Sequence, residues 1–66
     1  MEVILYTTHC PQCRMLEKRL EDSGIQYTEK TDVQEMIDKG FTNVPVLVVD
    51  GKAMQVREAV AWVDEQ

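Results

Sequence analysis

The chain has 66 residues and a formal net charge of −5, enough for one small domain over residues 1–66 that buries only about 60% of the surface its unfolded chain exposes. The acidic balance argues against a nucleic-acid partner, because neutralising a phosphate backbone takes clustered Lys and Arg. No stretch reaches the ~20 apolar residues of a membrane span, and the acidic Glu2 before a short apolar run does not make a secretory leader. A cytoplasmic, reducing compartment is expected.

Val3 to Tyr6 predicts a short strand, with Thr7-Thr8-His9 as its polar exit. A helix is predicted from Pro11 to about Asp22, since proline suits a first turn where its missing N–H is not needed. Met15, Leu16 and Leu20 form the expected apolar stripe, with Arg14, Glu17, Lys18 and Glu21 outward. Ser23-Gly24 stops this helix with a residue free to take a left-handed cap. Ile25 to about Lys30 alternates as a half-buried strand does.

Thr31 with Gln34 and Asp32 with Glu35 both read as capping boxes. They open a short helix through Lys39 that should bury Val33, Met36 and Ile37. Val44 to Val49 is almost wholly apolar, as in a strand covered on both faces. Asp50-Gly51 signals a hairpin into Lys52-Ala53-Met54. Val56, Ala59, Val60 and Val63 then define one face of a last helix, with Trp62 off that stripe and covering a core edge. Met15, Met36 and Met54 are expected to fill gaps in the core. The order β-α-β-α-β-β-α gives an α/β fold, a four-stranded mixed sheet flanked by helices with its first two strands parallel.

Cys10-Pro11-Gln12-Cys13 carries the chemistry. These are the only two cysteines, and their spacing places both thiols on the first turn of a helix at the carboxyl end of a strand. The helix amino end stabilises a thiolate, the species that attacks disulfides. A bridge between residues so close closes almost no loop and adds little stability, so the pair is explained by redox chemistry rather than stapling. Cys10, at the helix tip, is the expected nucleophile, and Cys13, one turn inside, the resolving thiol. His9 either supports a Cys10 thiolate when protonated or is simply a solvated loop histidine. Tyr6 reads as a packed strand aromatic.

Along nearly its whole length the chain resembles the glutaredoxin branch of the thioredoxin superfamily. The likeness is carried by Ile4-Leu5-Tyr6-Thr7-Thr8-His9-Cys10-Pro11-Gln12-Cys13, by Asn43-Val44-Pro45 and by Asp50-Gly51-Lys52. The resemblance implies a thioredoxin-like, glutaredoxin-type fold and a thiol–disulfide oxidoreductase reducing protein disulfides as a monomer. It also implies a cis bond at Val44-Pro45 beside the cysteines, although a strand-starting proline needs none. Val44, Pro45, Pro11 and Gln12 become the expected substrate-facing positions. No bound cofactor is implied; the electron donor is glutathione or a flavoenzyme of the thioredoxin-reductase type.

Family members that use glutathione usually follow the returning strand with Gly-Gly and acidic residues, where this chain has Gln55-Val56 and Arg57-Glu58-Ala59. Their lysine three positions before the first cysteine is Thr7 here, and their tyrosine between the cysteines is Gln12. The aromatic-Ser-Gly-Phe stretch of redoxins serving ribonucleotide reductase is absent too. An alternative uses the same two cysteines in a metal-binding module similar to copper chaperones. Those have Met where this chain has Thr8, and they end on a strand. A structural zinc site wants four ligands, and only Cys10, Cys13 and His9 are near. A non-catalytic adaptor is opposed by retention of both cysteines.

Overall fold

Alternate residues of a strand face opposite sides of a sheet, and in β1 (Val3–Tyr6) both sets are covered. The computed structural model describes residues 1–66. After β1 come α1 (Pro11–Asp22), β2 (Thr28–Lys30), α2 (Val33–Asp38), β3 (Val46–Val49), β4 (Lys52–Met54) and α3 (Val56–Asp64). The sheet order is β2-β1-β3-β4. β1 runs parallel to β2 and antiparallel to β3, and β4 returns antiparallel on β3. This is the expected mixed α/β architecture.

Val3 and Leu5 pair with Val49 and Leu47 on the side covered by α1 and α3. There the main core forms with Leu16, Leu20, Met54, Ala59 and Val63. Each fully buried leucine contributes about 1.5–3 kcal/mol relative to exposure, so this side dominates the stability. Trp62 is half-buried against its edge. Ile4 and Tyr6 face the other way with Val48 and Val46, where α2 adds only Met36, and Phe41 and Val44 pack around the rim.

The ends of the elements follow local chemistry. Beyond α1, Ile25 N–H bonds to the Leu20 carbonyl and Gly24 N–H to that of Glu21, a Schellman cap that needs the left-handed φ of 70° at Gly24. Ile25 is thereby held by the cap, and β2 begins at Thr28 rather than Ile25. Asp32 caps α2, its Oδ1 accepting from Glu35 N–H at 3.2 Å. β3 starts after Pro45, which lacks an N–H. Asp50 and Gly51 both have positive φ, 49° and 88°, as a type I′ hairpin turn requires.

Three apolar expectations fail. Met15 lies 41% exposed, because the buried side of α1 is Cys13, Leu16 and Leu20, and Met15 points off it. Val33 and Ile37 are 54% and 60% exposed. The cause is the rotation of α2. Glu35 Oε2 accepts from the Tyr6 hydroxyl and the Lys30 ammonium, both at 3.2 Å. With Glu35 turned to the sheet, the 100° step per residue leaves Met36 inward and sends Val33 and Ile37 out.

Candidate active site

Tyr6 lies opposite Val46 in the antiparallel β1–β3 pair, so the chain leaving β1 and the chain entering β3 share one end of the sheet. The first supplies Thr7 to Cys10, the second Val44-Pro45. The Val44-Pro45 bond is cis, as the resemblance implies. Pro45 is buried and Val44 half-buried, while Pro11 and Gln12 are exposed on the first turn of α1.

Cys10 is the N-cap of α1, and its Sγ accepts from the Cys13 N–H at 3.3 Å. A sulfur thus does the work usually given to a Ser or Asp oxygen. The two Sγ atoms are 2.7 Å apart, the Cys10 thiol donating to the Cys13 sulfur, and they are not bonded to each other. Cys10 is partly exposed, whereas Cys13 is wholly buried. The asymmetry follows from helical spacing: Cys13 is the first residue of the buried stripe that continues through Leu16 and Leu20.

Burial alone would raise the Cys13 thiol. The Cys10 thiol that donates to it, with the polar groups of Thr7, Thr8 and the Cys10 backbone around it, outweighs that and holds it below the ordinary value.

Behind the pair stands a polar cluster. Thr7 is wholly buried, and its backbone N–H donates to the Lys30 carbonyl at 3.0 Å. Its Oγ1 accepts from His9 N–H at 3.0 Å and donates to Glu17 Oε2 at 2.9 Å. The bond from His9 requires a φ of 62°, a left-handed conformation costing about 1–2 kcal/mol outside glycine. His9 Nδ1 lies 3.3 Å from Glu17 and Nε2 3.0 Å from Glu29. The imidazole thus faces carboxylates, not Cys10. His9, Glu17 and Glu29 are also close enough to share a cation, but the two ring nitrogens are each taken up by a different carboxylate, Nδ1 by Glu17 and Nε2 by Glu29.

Thr7 and Glu17 were not among the expected site residues, and Glu17 was expected outside. Both were signalled by periodicity. Thr7 continues the Val3, Leu5 alternation onto the α1 side, and Glu17 is one turn beyond Cys13, on the same helical face.

A βαβ start, a further β-hairpin and closing helix, and a first-turn pair of thiols together define the thioredoxin superfamily. Residues 3–54 match the family profile described as Glutaredoxin. The chain is also 31% identical over 58 residues to a protein named Thioredoxin from Methanothermobacter thermautotrophicus, an alignment covering 79% of this chain and 75% of that protein. No solved structure matches the chain significantly. The chain belongs to the glutaredoxin family. None of its helices is long and apolar enough to cross a membrane.

Proposed function

We propose that this protein reduces protein disulfides through the Cys10–Cys13 dithiol. The observation that carries the reading is the pair itself: two unbonded sulfurs 2.7 Å apart, one reachable and one buried. Once the Cys10 thiol has given up its proton, the Cys10 thiolate attacks a substrate disulfide. A Cys10–substrate bond forms, and the departing sulfur leaves as a thiolate and is protonated by solvent. Cys13 then loses its proton and its sulfur attacks Cys10 Sγ; the Cys10–Cys13 bond forms as the Cys10–substrate bond breaks, and the second substrate sulfur leaves as a thiolate that is protonated. Pro11, Gln12 and Val44 frame the approach to Cys10, with Pro45 fixing the loop beneath. Gln55 stands at the N-cap position of α3 without a side-chain cap bond, and Val56 is half-buried at its first turn; side chains where glutathione-using members have glycines are the ground for reading this surface as glutathione-poor. A flavoenzyme of the thioredoxin-reductase type is the favoured electron donor.

Cys13→Ser should trap a mixed disulfide with a model protein disulfide and Cys10→Ser should trap little. Alkylation near neutral pH should label Cys10 well before Cys13. Equal, slow labelling of both thiols would remove the dithiol reading. For the donor, a lost charge-assisted contact costs about 1.5–3 kcal/mol, or roughly ten- to a hundredfold in affinity. Steady-state kinetics should therefore show weak turnover with glutathione and faster turnover with the flavoenzyme; efficient, saturable turnover with glutathione alone reverses the assignment.

A further inference from the structure

The residue before Cys10 is held at every polar group it has. His9 N–H donates to Thr7 Oγ1 at 3.0 Å, and its carbonyl accepts from Arg14 Nε at 3.1 Å. Its ring stands between two elements: Nδ1 lies 3.3 Å from Glu17 Oε2 of α1, and Nε2 lies 3.0 Å from Glu29 Oε1 of β2. A carboxylate only accepts, so a ring that serves both carries a proton on each nitrogen. These contacts oppose a backbone preference, because the φ of 62° at His9 lies in the region that side chains other than glycine seldom adopt. One peptide further on, Cys10 is extended at φ −68° and ψ 169°, which brings its Sγ within 3.3 Å of Cys13 N on the first turn of α1.

We propose that His9 is a positioning residue for Cys10, its ring bridging Glu17 of α1 to Glu29 of β2 so that the loop keeps the reactive sulfur on the helix tip. The proposal rests on the dithiol reading above and concerns what prepares Cys10 for its attack. Were the ring released, His9 would be free to return to an ordinary negative φ. That change turns the peptide leading into Cys10 and carries its sulfur away from the helix N–H groups that stabilise a thiolate.

The charged and titratable groups around the ring come from each neighbouring element. They are Glu17 and Arg14 of α1, Glu29 of β2 and, through both carboxylates, the Tyr27 phenol just before β2. A negative charge near a thiol ordinarily disfavours the thiolate. Glu29 therefore acts in two opposite ways on Cys10, through its charge against the thiolate and through the ring in favour of it. Those two actions predict opposite signs when Glu29 is neutralised.

The test follows labelling of the reduced full chain by a neutral maleimide at about pH 6, on the charged side of the histidine range. Mass spectrometry of quenched digests separates Cys10 from Cys13. Glu29→Gln keeps the size of a side chain that is 40% exposed, and it should slow Cys10 labelling about two- to fivefold, the worth of one exposed ion pair. His9→Asn puts in another residue that tolerates the left-handed region. It loses both pairs and should slow Cys10 about four- to twentyfold. Added to His9→Asn, Glu29→Gln should cause no further slowing, because no ring remains for it to hold. The proposal is overturned if Glu29→Gln leaves Cys10 labelling unchanged or speeds it, as charge alone requires, or if it slows Cys10 equally with and without His9. It is also overturned if Cys13 becomes labelled alongside Cys10 in Glu29→Gln, since the contact would then hold the fold rather than the sulfur. Equal, slow labelling of both thiols in the wild type would instead overturn the dithiol reading, and the proposal with it.

Discussion

The two faces of the sheet are built on different terms. The α1–α3 side is a continuous apolar core of Val3, Leu5, Leu16, Leu20, Leu47, Met54, Ala59 and Val63. The α2 side has three buried residues, Tyr6, Met36 and Val46, and an open groove of about 430 Å³ over Ile4, Phe41, Val48 and Ala53. There a single carboxylate, Glu35, anchors the helix through Tyr6 and Lys30. The contrast shows where rigidity is placed. Cys13 and Thr7 belong to the dense side, so the buried thiol and its polar neighbours are fixed by packing, while the α2 side is held by polar contacts at its rim.

The largest expected effect is on the dense side. Leu16→Ala should cost about 2–5 kcal/mol in chemical denaturation, from a total of roughly 3–10 kcal/mol for a chain of this length. Met36→Ala should fall near the lower end, about 2 kcal/mol, because its side is less enclosed. Equal losses would break the comparison and show the two faces to be equally well packed.

Tyr6→Phe sharpens it. Removing the hydroxyl that Glu35 accepts should cost about 1 kcal/mol near neutral pH. Burial, then the hydrogen bond to Glu35, raises the Tyr6 phenol above 10.0. The unfolded chain therefore loses this proton first, and the stabilisation is complete below pH 10.0 and is lost as pH rises through the higher folded value. Lys30, raised above 10.5 by its bond to Glu35, shifts stability in the same sense. Denaturation midpoints followed from about pH 8 to about pH 11 should fall less steeply in Tyr6→Phe than in the wild type. Part of the fall should persist, because Tyr27 on the other face is raised too, by burial and by Glu21, Glu17 and Glu29. Identical curves would mean that the Tyr6–Glu35 contact does not hold α2.

The smallest expected effect is that of a chelator on the reduced protein. Leu5, Leu16, Leu20, Leu47 and Val63 are buried against one another, a core assembled from side chains alone, so circular dichroism should not change. A lost signal would restore the metal-binding alternative.

Most of the chain order was legible because strong local signals agreed. Pro11 starts α1, Gly24 ends it, Asp50-Gly51 turns the hairpin, and Val56 to Val63 repeats at helical spacing. The cis bond at Val44-Pro45 was legible only through family resemblance, since residue chemistry leaves it open. What failed was orientation. Reading hydrophobicity alone put Met15, Val33 and Ile37 inside and Glu17 outside. A short helix can be turned by one well-placed carboxylate, and a cysteine at the head of a buried stripe carries the residue one turn later inward with it. Neither effect appears when polar residues are assumed to mark the solvent side. The positive φ of His9 had no sequence signal beyond the mild tolerance of histidine for that region.

Both outer strands, β2 and β4, are three residues long, and each carries a lysine, Lys30 and Lys52. Exposed edges are where one sheet recruits strands from another molecule, and short edges bearing lysine resist it. A redox carrier must expose a reactive tip and collide with many other proteins while doing so. In this fold those collisions meet the partly exposed Cys10 at one end and little free backbone at either margin, which disfavours aggregation.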